Sequence, residues 1–175
     1  LLAMPMLAWG AGGLAIDGTQ FVLTTEKGAQ RRSEELVGAE LDVGELHFRI
    51  EAVRQDPDDP LRETLLHQLQ IRDQTGAWQP LCEPDREGKN EAIVLAGRWT
   101  DGRFYLDNAR FSISCTNGAR AKCVRFGYKP WKTAPNGSSL LPAYEACIHM
   151  VRADYCGDGV PATRDGTPID VYDVH

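Results

Sequence analysis

The residues of this chain with the chemistry to cross-link, hold a metal or attack a substrate crowd into its last third. Cys115, Cys123, Cys147 and Cys156 punctuate SCTNGARAKCVRFGYKPW and YEACIHMVRADYCGDG, and a fifth cysteine, Cys82, lies upstream. Cysteines at this density, beside aromatics and glycines, predict a covalently stapled core formed in an oxidising compartment. Zinc is the poorer reading, because no C-x-x-C knuckle brings two thiolates together. A cysteine nucleophile needs a histidine within hydrogen-bond reach. Cys147 and His149 stand two apart on a predicted helix and therefore face nearly opposite ways.

Geometry limits the cysteine pairing without fixing it. A helix running through Cys147 and Cys156 would hold them about 13 Å apart at about 1.5 Å per residue, whereas a disulfide needs Cα atoms within about 7 Å. Either the chain folds back near Asp154, helped by Gly157 and Gly159, or each of the two pairs elsewhere, with Cys123 or Cys115 as the favoured partners. Cys82 is then the odd cysteine, buried or joined to a cysteine in a missing extension.

Carboxylates offer the alternative chemistry. Asp154 and Asp158 beside Arg152 are candidate acid, base or metal-site residues of a hydrolase. Asp158, Asp165 and Asp170 stand among glycines, and oxygen-rich turns of this kind are weak candidates for calcium, the one cofactor the tail suggests. No closing glutamate completes an EF-hand loop, so the commoner reading of Asp-Gly pairs is as turns in which aspartate caps local amides. GYKPWK places Tyr128, Lys129 and Trp131 together. This trio either binds a ligand by stacking or covers the disulfide core with its lysines reaching water.

The elements that must position these groups read as mostly strands. GTQFVLTT has strand composition. In ELHFRIE, Leu46, Phe48 and Ile50 alternate with His47, Arg49 and Glu51, after a tight turn at Val43–Gly44–Glu45. Asp56-Pro57-Asp58-Asp59-Pro60 is a strong break. LLHQLQIRDQ is read as a strand leading through Asp73-Gln74-Thr75-Gly76 into a hairpin, and EAIVLAGRWT and RFYLDNARFSISC add two or three more around Thr100-Asp101-Gly102. One main helix follows, LLPAYEACIHMVRAD, capped by Ser138 or Ser139 with Pro142 in its first turn. It turns Tyr144, Cys147, Ile148 and Val151 inward and Glu145, His149 and Arg152 outward.

A chain of 175 residues with 42% hydrophobic and 25% charged residues is one ordinary globular domain. A net charge of -6 and a pI near 5.2 argue against nucleic acid as a general partner. Charge is nonetheless segregated. Asn108 to Tyr144 carries no acidic residue, the tail beyond Arg152 is rich in aspartate, and the expectation is that these two segments compensate one another. The opening LLAMPMLAWGAGG is too short for a membrane span, so an integral membrane protein is not expected. Residues 1–17 read as the remnant of an apolar leader or a disordered tail, and 18–175 as a single domain whose abrupt end, IDVYDVH, suggests truncation.

RADYCGDG, preceded by AKCVRFGYKPW and followed by TRDGTPIDVYD, resembles the bacterial ADYC-domain family, as do AGRWTDGRF and, more loosely, VGAELDVGELHFRIEAV. The resemblance implies an exported or lipoprotein-like protein without an assigned reaction, and singles out Arg152, Ala153, Asp154, Tyr155 and Cys156 together with Tyr128 and Trp131. His149 stands where the family pattern suggests arginine. The expected architecture is α+β: mainly antiparallel strands, one principal C-terminal helix and an irregular, disulfide-stapled C-terminal lobe. The expected role is a cell-envelope or secreted module binding a protein, peptide or glycan, against the hydrolase as its rival.

Overall fold

Short apolar runs broken by Gly, Asp and Pro build a β-rich molecule, which the computed structural model describes over residues 13–164 and 166–168. Strands β1 (Gly13–Asp17), β2 (Gln20–Thr24) and β3 (Gln30–Arg32) form a three-stranded antiparallel sheet. The boundary expected at residue 17 therefore moves, since Gly13–Asp17 is paired strand; the rest of that leader lies outside the described residues. A 3-10 turn (Ser33–Leu36) leads to β4 (Glu40–Val43), β5 (Leu46–Gln55), β6 (Leu65–Arg72), β7 (Trp78–Pro80), β8 (Glu91–Ala96), β9 (Arg98–Thr100), β10 (Arg103–Tyr105) and β11 (Phe111–Cys115). The main sheet runs β11-β8-β6-β5-β4, with β7 beside β6, and β9 and β10 form a separate hairpin. Helices α1 (Ala119–Arg125) and α2 (Leu141–Val151) follow.

The main sheet separates two hydrophobic cores. In β8, Ala92 and Val94 enter the first core while Ile93 and Leu95 enter the second, so both faces of EAIVLA are buried. That is why the run is apolar throughout rather than alternating. The first core, with Phe21, Phe48 and Ile50, lies under β1–β3. The second, with Phe104, Val124, Tyr144 and Ile148, lies under the helices. β5 alternates as its sequence requires, and Gly44 makes its turn at φ 60°, a conformation that suits a residue without Cβ.

The helical layer departs from expectation in two ways. A second, short helix, α1, occupies ARAKCVR, where the basic run hid a single apolar face of Ala121, Cys123 and Val124. The main helix also stops earlier than the run to Asp154 implied. Ala153 takes φ 54°, and the amides of Ala153 and Asp154 donate to the carbonyls of Met150 and His149, a left-handed stop that cannot continue a helix.

Cysteine pairing is corrected as well. Cys82 bonds Cys115 with Cα atoms 5.6 Å apart, Cys123 bonds Cys147 at 5.8 Å, and Cys156 is an exposed thiol. Cys115 pairs with Ala92 of β8, and Cys82, just after β7, is held at the start of β8 by Asn90 Nδ2, which donates to its carbonyl at 2.7 Å, a juxtaposition that spacing along the chain does not reveal. The expected α+β class holds, with antiparallel sheets, helices late in the chain and disulfides in the C-terminal region, while Cys156 beyond α2 takes no part in them. Alkylating the denatured, unreduced protein should therefore modify one cysteine, mapping to Cys156; label on Cys82 would break this assignment.

His67 is fully buried on β6, with Nε2 2.9 Å from Ser33 Oγ, which accepts the Phe21 amide at 2.8 Å. Burial pushes its pKa down to about 4. The unfolded chain therefore binds a proton near pH 6.5 that the folded state refuses until about pH 4. Stability should fall by about 3 kcal/mol across that window as pH drops. In urea titrations, His67→Gln should flatten this slope relative to the parent; parallel slopes would show that His67 is not held neutral.

Candidate functional site

The aspartate-rich break after β5 holds two of the buried carboxylates of this molecule, Asp56 and Asp59. Asp56 is fully buried and accepts Arg125 Nε at 2.6 Å and Nη2 at 3.1 Å, while Asp58 takes the same Nη2 at 2.7 Å. Lys129, 4% exposed, donates to Asp59 at 2.8 Å and Glu63 at 3.1 Å, and Lys132 also reaches Glu63. The amides of Leu61, Glu63 and Thr64 complete the shell around Asp59. Burial alone would raise the Asp59 carboxyl, but Lys129, Thr64 and the loop amides outweigh it and hold it well below the usual carboxylate range. The basic segment thus compensates Asp56–Glu63, and among the described residues no ion pair joins it to the acidic tail as expected.

This arrangement corrects the trio Tyr128, Lys129 and Trp131. Lys129 points inward to its carboxylates. Trp131 lies over Gly18, where an added Cβ would sit 3.6 Å from the indole, and Tyr128 packs at the margin of the second core. All three contribute to the joint between layers.

The RADYC segment is divided in its duties. Asp154, 3% exposed, accepts the Gly159 amide at 3.0 Å and lies 3.1 Å from His149 Nδ1, whose Nε2 is 3.2 Å from the Gly102 carbonyl oxygen. His149 therefore faces the β9–β10 turn, not solvent as expected. Beside it on α2, Glu145 accepts the Phe104 amide at 2.7 Å. Burial raises the Asp154 carboxyl, yet the Gly159 amide and His149 prevail and leave it lowered. Asp158 accepts the Val160 amide at 2.9 Å, the turn-capping role of its type. Among the described residues no three His, Cys, Asp or Glu side chains converge as metal ligands; Asp165 and Asp170 lie outside them.

Arg152 goes elsewhere. It lines a cavity of about 290 Å³ with Arg120, Ile113, Cys115 and Ile148. Burial lowers the Arg120 pKa and Arg152 adds to that effect by like-charge repulsion. Ile113 and Cys115 also line a second cavity, of about 560 Å³, walled by Leu14, Val43, Leu46, Leu81 and Phe111 and flanked by Arg98 and Arg110. The two cavities share Ile113 and Cys115 but open on opposite sides of the main sheet, the larger beside the first core and the smaller beside α2, so that together they flank the β11 edge. Among the described residues no carboxylate lines either cavity, and only Asp107 pairs with any of these arginines, 3.8 Å from Arg110. Sequence reading missed Arg98, Arg110 and Arg120; the available signal was FSISC, whose odd positions are apolar, within a stretch free of acids.

A family model described as ADYC domain matches residues 33–175, which leaves β1–β3 outside the matched span. No curated protein and no solved structure matches the chain.

Lys129→Met would leave Asp59 buried without its cation, a change that costs about 3–5 kcal/mol when a buried pair is broken. Urea unfolding should show this loss, and Asp59→Asn added to Lys129→Met should restore part of it. A loss under about 0.5 kcal/mol would mean the pair is solvated.

Proposed function

This chain belongs to the ADYC-domain family, and from that premise we propose that it is a binding module of an extracytoplasmic, oxidising compartment, cell-envelope or secreted, whose ligand lies in the groove along β11. The observation that carries this reading is an apolar wall beside arginines of which, among the described residues, only Arg110 has a carboxylate, that of Asp107, within reach. Binding sites typically pair a concave apolar lining with a few polar groups that fix orientation. The two disulfides support the compartment, since such bonds persist where thiols are not kept reduced.

The wall is aliphatic apart from Phe111, which favours a peptide or protein segment over a glycan that would need stacked rings. The hydrolase reading, with Asp154, Asp158 and Arg152 and with calcium as its helper, has less in its favour. Both oxygens of Asp154 are engaged within the fold, and Arg152 shares its cavity with another cation rather than with an acid.

Anilinonaphthalene sulfonate, an apolar ring system with one negative charge, is a direct probe. The native protein should bind it with enhanced, blue-shifted emission. Arg98→Glu with Arg110→Glu should weaken binding about tenfold, a factor worth about 1.4 kcal/mol, without altering the near-ultraviolet circular dichroism. Absent binding, or binding indifferent to these charges, would overturn the site.

A further inference from the structure

We propose that the groove's ligand is an extended acidic peptide segment that adds to the sheet as a new strand beside β11; this rests on the binding-module reading and names its ligand class. The argument begins with the hydrogen-bond pattern. Gly97 N donates to Arg110 O at 2.8 Å and Thr116 N to Glu91 O at 2.9 Å, which brackets the β11–β8 register. In an antiparallel pair, alternate residues turn both backbone groups toward the same neighbour. Ser112 and Ser114 therefore face β8, and Phe111, Ile113 and Cys115 face away from it. Cys115 O is taken by the Gly118 amide, but among the described residues nothing meets the N–H or C=O of Phe111 or Ile113.

β11 stands at one end of the main sheet, and its residues differ from those at the other edges. β3 is QRR and β4 is ELDV, both carrying the charges that protect an exposed edge from pairing. β11 is FSISC, without charge or proline. Its outward backbone groups lie on the residues whose side chains line the larger cavity, so one extended segment could satisfy the edge and place alternate apolar side chains against the wall. Arg98 and Arg110 on one side of that path and Arg120 and Arg152 on the other meet, among the described residues, a single carboxylate, that of Asp107, which selects an acidic partner.

The test uses a blocked octapeptide of alternating valine and glutamate, its lysine counterpart, and a glutamate version N-methylated at alternate amides on one edge. Binding is read by calorimetry and by hydrogen exchange of the Phe111 and Ile113 amides in the intact chain. The glutamate peptide should bind about tenfold tighter than either variant and slow exchange at both amides. Arg98→Glu with Arg110→Glu should move the preference toward lysine. Equal binding by the N-methylated peptide would overturn strand addition while leaving the groove as a ligand site. Failure of every peptide, with the sulfonate dye still bound, would overturn the peptide class alone; failure of dye and peptides together would remove the site. Phe111 and Ile113 amides already protected in the free monomer, or protected only on dimerisation, would show that the chain itself or a second copy takes the edge, and would overturn the proposal.

Discussion

The structure turns on burying Asp56 and Asp59 beneath the helical layer. A carboxylate removed from water is tolerated only when cations and amide donors surround it, so the loop between β5 and β6 must meet Arg125 at the end of α1 and Lys129 just beyond it. That requirement fixes where α1 ends and where the following aromatic segment crosses β1–β2, with Trp131 over Gly18. Arg54 and Glu91 form a second such link, with guanidinium to carboxylate distances of 2.6 and 2.7 Å, between β5 and the start of β8. Charged side chains here set the register between layers, while apolar contacts supply the bulk of the stabilisation.

The same logic explains why the letters of RADYC do not form a single reactive centre. Arg152 turns into the groove, Ala153 provides the left-handed stop, Asp154 clamps the following loop to α2, and Tyr155 and Cys156 remain exposed. A contiguous motif can thus be a helix terminus with several separate duties. The chemistry that its residue types suggest is absorbed by the geometry of ending a helix.

What was legible in the sequence was local. The alternation in β5, the unbroken apolar run of β8 and the Gly44 and Asp73–Gly76 turns each follow from side-chain period or turn chemistry within a few residues. What was not legible joins distant segments. Asp59 meets Lys129, Cys82 meets Cys115, and Arg98 meets the same groove as Arg110 only because β8 lies between β6 and β11. Charge counting also misassigned the basic segment's partner, because proximity along the chain was taken for proximity in space. The aspartates of a proline-rich turn looked like solvated punctuation, and nothing in their spacing told that they would be buried.

Both disulfides lie within a layer rather than between layers. Cys82–Cys115 closes the sheet side on itself, and Cys123–Cys147 ties α1 to α2. Among the described residues the seam between the helices and the sheets is therefore held by packing, ion pairs and hydrogen bonds such as Glu145 to the Phe104 amide, with no disulfide across it. Reductant and acid therefore act on different parts of the molecule: reduction removes a cross-link inside each layer, whereas protonating Asp56 and Asp59 weakens the joint between layers with both disulfides intact.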